Sequence, residues 1–271
     1  MHPAISQVCT LNASFDDDIA GYADAAGTAV ELWLTKLEDH LRSHSVADVR
    51  LQAADRGLRF AAASYQGGIL LSQGVARREA WDQFQKRLDL CADLGVPTLV
   101  VTADSLGPFG NTDIERAQVS LRQAGEAAAP RGVRLALEFQ ARNTFLNNLE
   151  TAAMFVQSVQ HRSVGICFDV FHYAVGPSKF EDLGYLTADN LFHVQVSDVA
   201  DRPRELASDA DRILPGDGDF PLAKIFARFR EIGYAGFVSL ELLNPIFWRT
   251  PPQQVGEIGL TALRVSLGLN K

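Results

Sequence analysis

Eight short apolar, β-branched runs punctuate the chain, and helical periodicity fills the stretches between them. The runs cover residues 4–11, 29–34, 59–64, 98–103, 134–139, 164–168, 191–197 and 236–243. Across 271 residues they recur about every 34, the length of one strand-helix unit in an eightfold barrel. Strands separated by helices pair in parallel, because a tight hairpin cannot join parallel neighbours. Two parallel architectures fit this alternation, an open doubly wound sheet and a closed barrel. The open sheet calls for a glycine-rich turn after its first strand. Here that turn reads LNASFDDD. The pattern therefore predicts a single α/β domain over residues 1–271. Its fold is a (β/α)8 TIM barrel of eight parallel strands with an outer ring of helices.

The intervening segments carry apolar stripes. Leu222, Ile225, Phe226, Phe229 and Ile232 share one helix face, as do Trp81, Phe84, Leu88 and Cys91. Asp113 and Asp219 are candidate helix caps, with Pro221 in the first turn after Asp219. Glycines in DLGV, PRGV and EIGY fit the left-handed position that ends a helix. The longest irregular stretch, 199–219, follows the seventh strand and falls on the face where barrel loops carry function.

Composition narrows the partners. The formal net charge is −8, which argues against nucleic acid and against an anionic membrane surface. Apolar residues at 47% suffice for a core. Cys9, Cys91 and Cys167 lie far apart, as expected for reduced thiols packed inside a protein. No apolar run approaches a membrane span, and the N-terminal residues lack the pattern of an export signal, so a cytoplasmic location is expected.

Polar residues at the ends of apolar strands carry the chemistry, because their burial is costly unless something satisfies them. Glu138 ends RLALEF, Asp169 ends VGICFD, Gln195 sits in LFHVQVSD and Glu241 in GFVSLELL. They lie near the C-terminal ends of the fifth to eighth strands, which are neighbours in a barrel. Three carboxylates converging on one point repel one another unless a cation or protons intervene. Hard oxygen donors of this kind suit Mn2+, Mg2+ or Co2+, with Zn2+ a further candidate.

The series ALEF, CFDVFH, FHVQVSD, RILPGDGDFPL and GYAGFVSLELLN resembles the sugar-phosphate isomerase/epimerase superfamily with the xylose isomerase-like TIM barrel. VELWLTKLEDHL and ASYQGGILLSQG resemble the second and third units of the same group. The resemblance implies a metal held by Glu138, Asp169, Gln195 and Glu241. Many epimerases carry HxH on the seventh strand, whereas this chain has His193-Val194-Gln195. The glutamine resembles the hydroxypyruvate isomerase and 3-dehydroshikimate dehydratase branches.

Other residues acquire roles on this basis. His172, in DxxH with Asp169, is a candidate proton donor, and the resemblance gives it a substrate oxygen to contact. The resemblance places Arg212 on a substrate oxygen as well. Trp33, Phe109, Phe247 and Trp248 are candidate walls for a small carbohydrate pocket. PGDGDF lacks the lysine of a P-loop and reads as a tight turn before a helix. Glu31 is either a partner of the ligands or an outer-face residue.

The resulting expectation is an isomerase or epimerase of a small keto-sugar, working by proton transfer between Glu138 and Glu241 through a metal-stabilised enediolate. A dehydratase of an inosose-like or dehydroshikimate-like substrate shares the metal and the first base. A catalytically silent sugar-binding barrel is the third reading. The DNA-repair endonuclease branch of this fold builds a histidine-rich trinuclear site. Only His172 of the six histidines falls at an expected ligand position here. Homo-oligomerisation is a further expectation, with His40–His44 or Phe247–Trp248 as candidate pairing surfaces.

Overall fold

The computed structural model describes residues 1–103 and 107–269. Its strands are β1 (His2–Ser6), β2 (Ala29–Trp33), β3 (Arg59–Gln66), β4 (Thr98–Thr102), β5 (Arg134–Glu138), β6 (Val164–Asp169), β7 (Leu191–Val196) and β8 (Phe237–Leu240). They close in chain order into a parallel barrel with helices around it, a (β/α)8 TIM barrel. The first strand is shorter than its apolar run. It stops at Ser6, and Gln7–Thr10 form a single 3-10 turn whose four residues are all buried. Burial of that turn imitates a strand in the sequence. β8 is also short, but Glu241 continues its ladder by donating its N–H to the Val196 carbonyl at 2.9 Å.

Helix ends follow local chemistry. Gly95, Gly132 and Gly233 adopt φ of 71°, 69° and 75°, the left-handed region glycine enters without steric cost. Of the two expected aspartate caps only Asp113 takes part in capping, from the third helical position. The helix Leu222–Glu231 starts after Pro221 with no side-chain cap. Asp219 instead accepts the Asp201 N–H at 3.1 Å. Asp113 lies inside the first turn of Asn111–Ala128 and reaches back to the Gly110 N–H at 3.0 Å.

Tertiary contacts divide the chain into two compact units, residues 1–63 with 194–271 and residues 64–193. In the first unit β1 pairs with both β2 and β8, and Ala4, Ala29 and Ala61 form a small-residue core against Phe237. The helices Phe15–Asp24 and Pro252–Ser266 pack together there. A Cβ on Gly21 would fall 2.5 Å from the Gln253 backbone nitrogen. In the second unit β4, β5 and β6 pair in register over a core of Val100, Ala136, Cys167 and Phe192. All three cysteines are buried. Burial pushes the Cys91 thiol up to about 12. Among the described residues, no helix is long and apolar enough to cross a membrane.

Gly21 gives a test of the packing. Helix propensity alone favours Gly21→Ala by about 1 kcal/mol. The clash with backbone outweighs that gain, so the substitution is expected to destabilise by roughly 1–3 kcal/mol in urea titration. A rise in the midpoint would contradict the close approach of the two helices.

Candidate active site

In the unit spanning residues 64–193, Glu138 ends β5 and Asp169 ends β6, and both are buried. The ladder sets Glu138 opposite Thr102 on one side and Cys167 on the other. Asp169 also begins the short helix Val170–Val175, accepting the Phe171 N–H at 2.9 Å. That turn carries His172 back over the strand ends. Its Nε2 lies 3.7 Å from Glu138 Oε1 and 3.6 Å from Asp169 Oδ2, with 12% of the side chain exposed. One ligand atom from each of the three residues lies within 4.8 Å of the others. Two buried carboxylates and an imidazole at this spacing form a donor set that fits a divalent cation. A cavity of about 700 Å³ is lined by Thr102, Phe109, Gln140 and Asn143 among others, and Thr102 brings it beside Glu138.

In the other unit, Gln195 on β7 donates from Nε2 to Glu31 Oε1 at 2.8 Å and to Glu241 Oε1 at 2.9 Å. Carboxylates only accept, so this pair of bonds fixes which prong of the amide is nitrogen. The oxygen takes the opposite prong. Glu31 is thus a partner of Gln195 and not an outer-face residue. The second oxygen of Glu241 accepts from Arg212 Nη1 at 3.0 Å. Arg212 is 1% exposed and also binds Asp209 Oδ1, at 2.9 Å from Nε and 2.8 Å from Nη2. Trp33 borders a cavity of about 370 Å³ in this unit with Phe15, Lys36 and His40. Trp248 spends its indole N–H on the Val8 carbonyl at 2.9 Å, an anchoring role.

Three further residues hold this arrangement. Cys9 Sγ donates to the Leu240 carbonyl at 3.4 Å and accepts the Leu242 N–H at 3.3 Å, clamping the backbone on both sides of Glu241. Burial pushes its thiol far above the usual range, against the pull of the Leu242 N–H and helped by the Glu241 and Glu31 charges. Cys9 is therefore a neutral thiol, not a thiolate ligand. Asn244 pins the Arg212 carbonyl at 2.9 Å. Asp198 organises the irregular stretch by accepting the N–H groups of Val199 at 2.9 Å, Gly216 at 3.0 Å and Phe220 at 3.0 Å. Those donors are spent on Asp198, so PGDGDF is a tight turn and not a phosphate cradle. Cys9 could have been found only as a cysteine just beyond the first strand. Asn244 and Asp198 were visible as polar residues beside the strand-end acids.

The Gln195 network predicts a large penalty for losing its donor. Gln195→Leu leaves two buried carboxylates without the amide nitrogen, an expected loss of roughly 2–3 kcal/mol. Urea unfolding of the variant measures it, and an unchanged midpoint would refute the bonding described.

Comparison with known proteins identifies the family of the fold. Residues 20–264 match the family model described as "Xylose isomerase-like TIM barrel". The chain is 27% identical over 224 residues to an inosose isomerase of Bacillus velezensis, covering 82% of this chain and 80% of that enzyme. It is 28% identical over 270 residues to a 3-dehydroshikimate dehydratase of Pseudomonas aeruginosa, covering 94% of this chain but 40% of that enzyme. A solved structure of a protein named IolI, with a bound zinc atom, superposes with a TM-score of 0.93 at 23% identity, over 99% of both chains. Relatives of this chain are thus sugar isomerase/epimerase-like enzymes, and the chain itself belongs to the xylose isomerase-like TIM barrel family.

Proposed function

We propose that this protein is a divalent-metal-dependent isomerase or epimerase of a small keto-sugar or related hydroxy-carbonyl compound. The observation that carries the reading is the cluster of Glu138, Asp169 and His172, whose ligand atoms lie within 4.8 Å of one another. Glu138 and Asp169 would hold the ion, His172 is close enough to both to join them, and the resemblance adds Gln195 and Glu241. Such an ion supplies Lewis-acid polarisation of a carbonyl, and Mn2+, Mg2+ or Co2+ suit these donors, with Zn2+ also compatible.

The chain's own groups supply the proton transfers. Glu138 takes the proton next to the carbonyl, and Glu241 is the second proton carrier. His172, 3.7 Å from Glu138, holds a proton toward a substrate oxygen. Arg212 and Gln195 keep the Glu241 carboxylate in one orientation by bonding one oxygen each. Arg212 therefore acts first as a positioning residue, with the substrate contact implied by the resemblance as a second role. Trp33 offers an apolar wall for a small polyol.

A second reading is a dehydratase, favoured by the similarity to the Pseudomonas aeruginosa enzyme over 94% of this chain. Both readings begin with the same proton abstraction and part only in whether a β-hydroxyl leaves. Incubation with Mn2+ in deuterated solvent, across ketoses, inososes and dehydroshikimate, separates them. Deuterium uptake at otherwise unchanged mass supports the isomerase. Loss of one water supports the dehydratase. Absence of both exchange and turnover across the panel would overturn the enzymatic reading.

Glu241→Gln is expected to lower kcat by about 100-fold or more with the melting temperature little changed. Full activity in that variant would remove Glu241 from the mechanism. Chelation of divalent ions is expected to abolish turnover, and Mn2+ to restore it.

A further inference from the structure

We propose that Asp16, His40 and His44 form a second divalent-metal site, suited to a late first-row transition ion such as Zn2+, that shares no residue with the proposed catalytic set. His40 ends the helix Leu34–His40 and His44 follows four residues later. Asp16 lies in the first turn of the helix Phe15–Asp24. One ligand atom from each lies within 4.8 Å of the other two, and His40 Nε2 is 3.9 Å from Asp16 Oδ1. A tetrahedral ion with bonds of about 2.0–2.2 Å spaces its ligand atoms roughly 3.4 Å apart. Small side-chain rotations close that difference, and Asp16 and His44 are exposed and able to make them.

Hydrogen bonds hold Asp16 and His44 near these positions. His44 Nδ1 lies 3.2 Å from the His40 carbonyl, which only accepts, so that nitrogen carries the proton and Nε2 keeps its lone pair. Ser43 Oγ, 3.1 Å from the same Nδ1, can accept there as well. A ligating histidine is commonly held in this way, by its other ring nitrogen on a backbone carbonyl. Asp16 Oδ1 accepts from Gln52 Nε2 at 2.7 Å, which steadies the carboxylate. The His40 ring is sandwiched between Phe15, at 4.5 Å and 24°, and His44, at 4.0 Å and 5°. The in-plane lone pairs of stacked rings run parallel, so the exposed His44 ring turns out of the stack to share an ion with His40.

Donor chemistry selects the ion. Two imidazoles and one carboxylate are softer than an oxygen-only set and favour Zn2+, Ni2+ or Cu2+ over Mg2+ or Ca2+. Exposure leaves room for water to complete the coordination shell. His40 also borders the cavity lined by Trp33 and Lys36. An ion here would tie the start of one helix to the end of another and fix that wall of the cavity.

The test is calorimetric titration of the metal-free full-length protein with Zn2+, beside the variants His44→Ala, Asp16→Asn and Asp169→Asn. His44 and Asp16 are exposed, so their variants are expected to fold. Zn2+ binding in Asp169→Asn, accompanied by shifts of the His40 and His44 ring protons in NMR, is the expected result. His44→Ala and Asp16→Asn should each weaken that class of site at least tenfold. The proposal is overturned if those two variants bind Zn2+ with unchanged stoichiometry and affinity. It is equally overturned if Asp169→Asn removes all Zn2+ binding. The ring-proton shifts of His40 and His44 read this site alone, so the outcome does not depend on whether the catalytic assignment stands.

Discussion

Burying carboxylates at the ends of parallel strands is the constraint from which the rest of the site follows. Two like charges 4 Å apart repel by about 4 kcal/mol at an effective dielectric near 20. Glu31 and Glu241 meet this cost by sharing one amide group, each taking one hydrogen of Gln195 Nε2. Arg212 then balances the second oxygen of Glu241. Glu138 and Asp169 have His172 between them, its Nε2 3.7 Å and 3.6 Å from their oxygens, and Asp169 also accepts the Phe171 N–H.

A charge held this way is only as precise as the backbone beneath it. The ladder of β8 ends at Leu240, so Glu241 sits where regular pairing gives out. Its backbone is instead fixed by the Val196 carbonyl and by the Cys9 thiol bonded to both neighbouring peptide groups. Arg212 is fixed at three points, by Glu241, Asp209 and Asn244. A guanidinium with its tip so occupied holds a base more readily than it chases a substrate. The irregular stretch that carries it owes its shape to Asp198, whose two oxygens receive three backbone N–H groups.

Much of this was legible in the sequence because period and polarity are local signals. Eight β-branched runs announced the strands, and Glu138, Asp169, Gln195 and Glu241 stood out as polar groups where apolar residues are the rule. The failures share one cause, which is that tertiary partners cannot be read from spacing. Gln7–Thr10 looked like strand because it is buried, not because it is extended. Asp219 looked like a cap, but the Asp201 N–H claimed its oxygen, and Asp113 caps from inside the first turn. Glu31 stayed ambiguous until its partner proved to lie 164 residues away. Cys9 gave no signal beyond being a small, buried-type residue.

The proposed metal centre depends also on which donors are kept out of it. Thiolate would draw soft ions to the site, and Cys9 lies beside Glu241 where it could do so. Its burial, and the charges of Glu241 and Glu31 next to it, hold it as a neutral thiol. Within residues 64–193 the clustered donors are two carboxylates and one imidazole, a set compatible with a divalent ion. Affinity for nitrogen-bearing sites rises toward Cu2+ and falls again at Zn2+. An imidazole pair such as His40 and His44 therefore competes for the ions that an oxygen-rich centre holds less well. With both proposed sites in place, a donor set of two carboxylates and one imidazole and a set of two imidazoles and one carboxylate would favour different ions by chemistry alone.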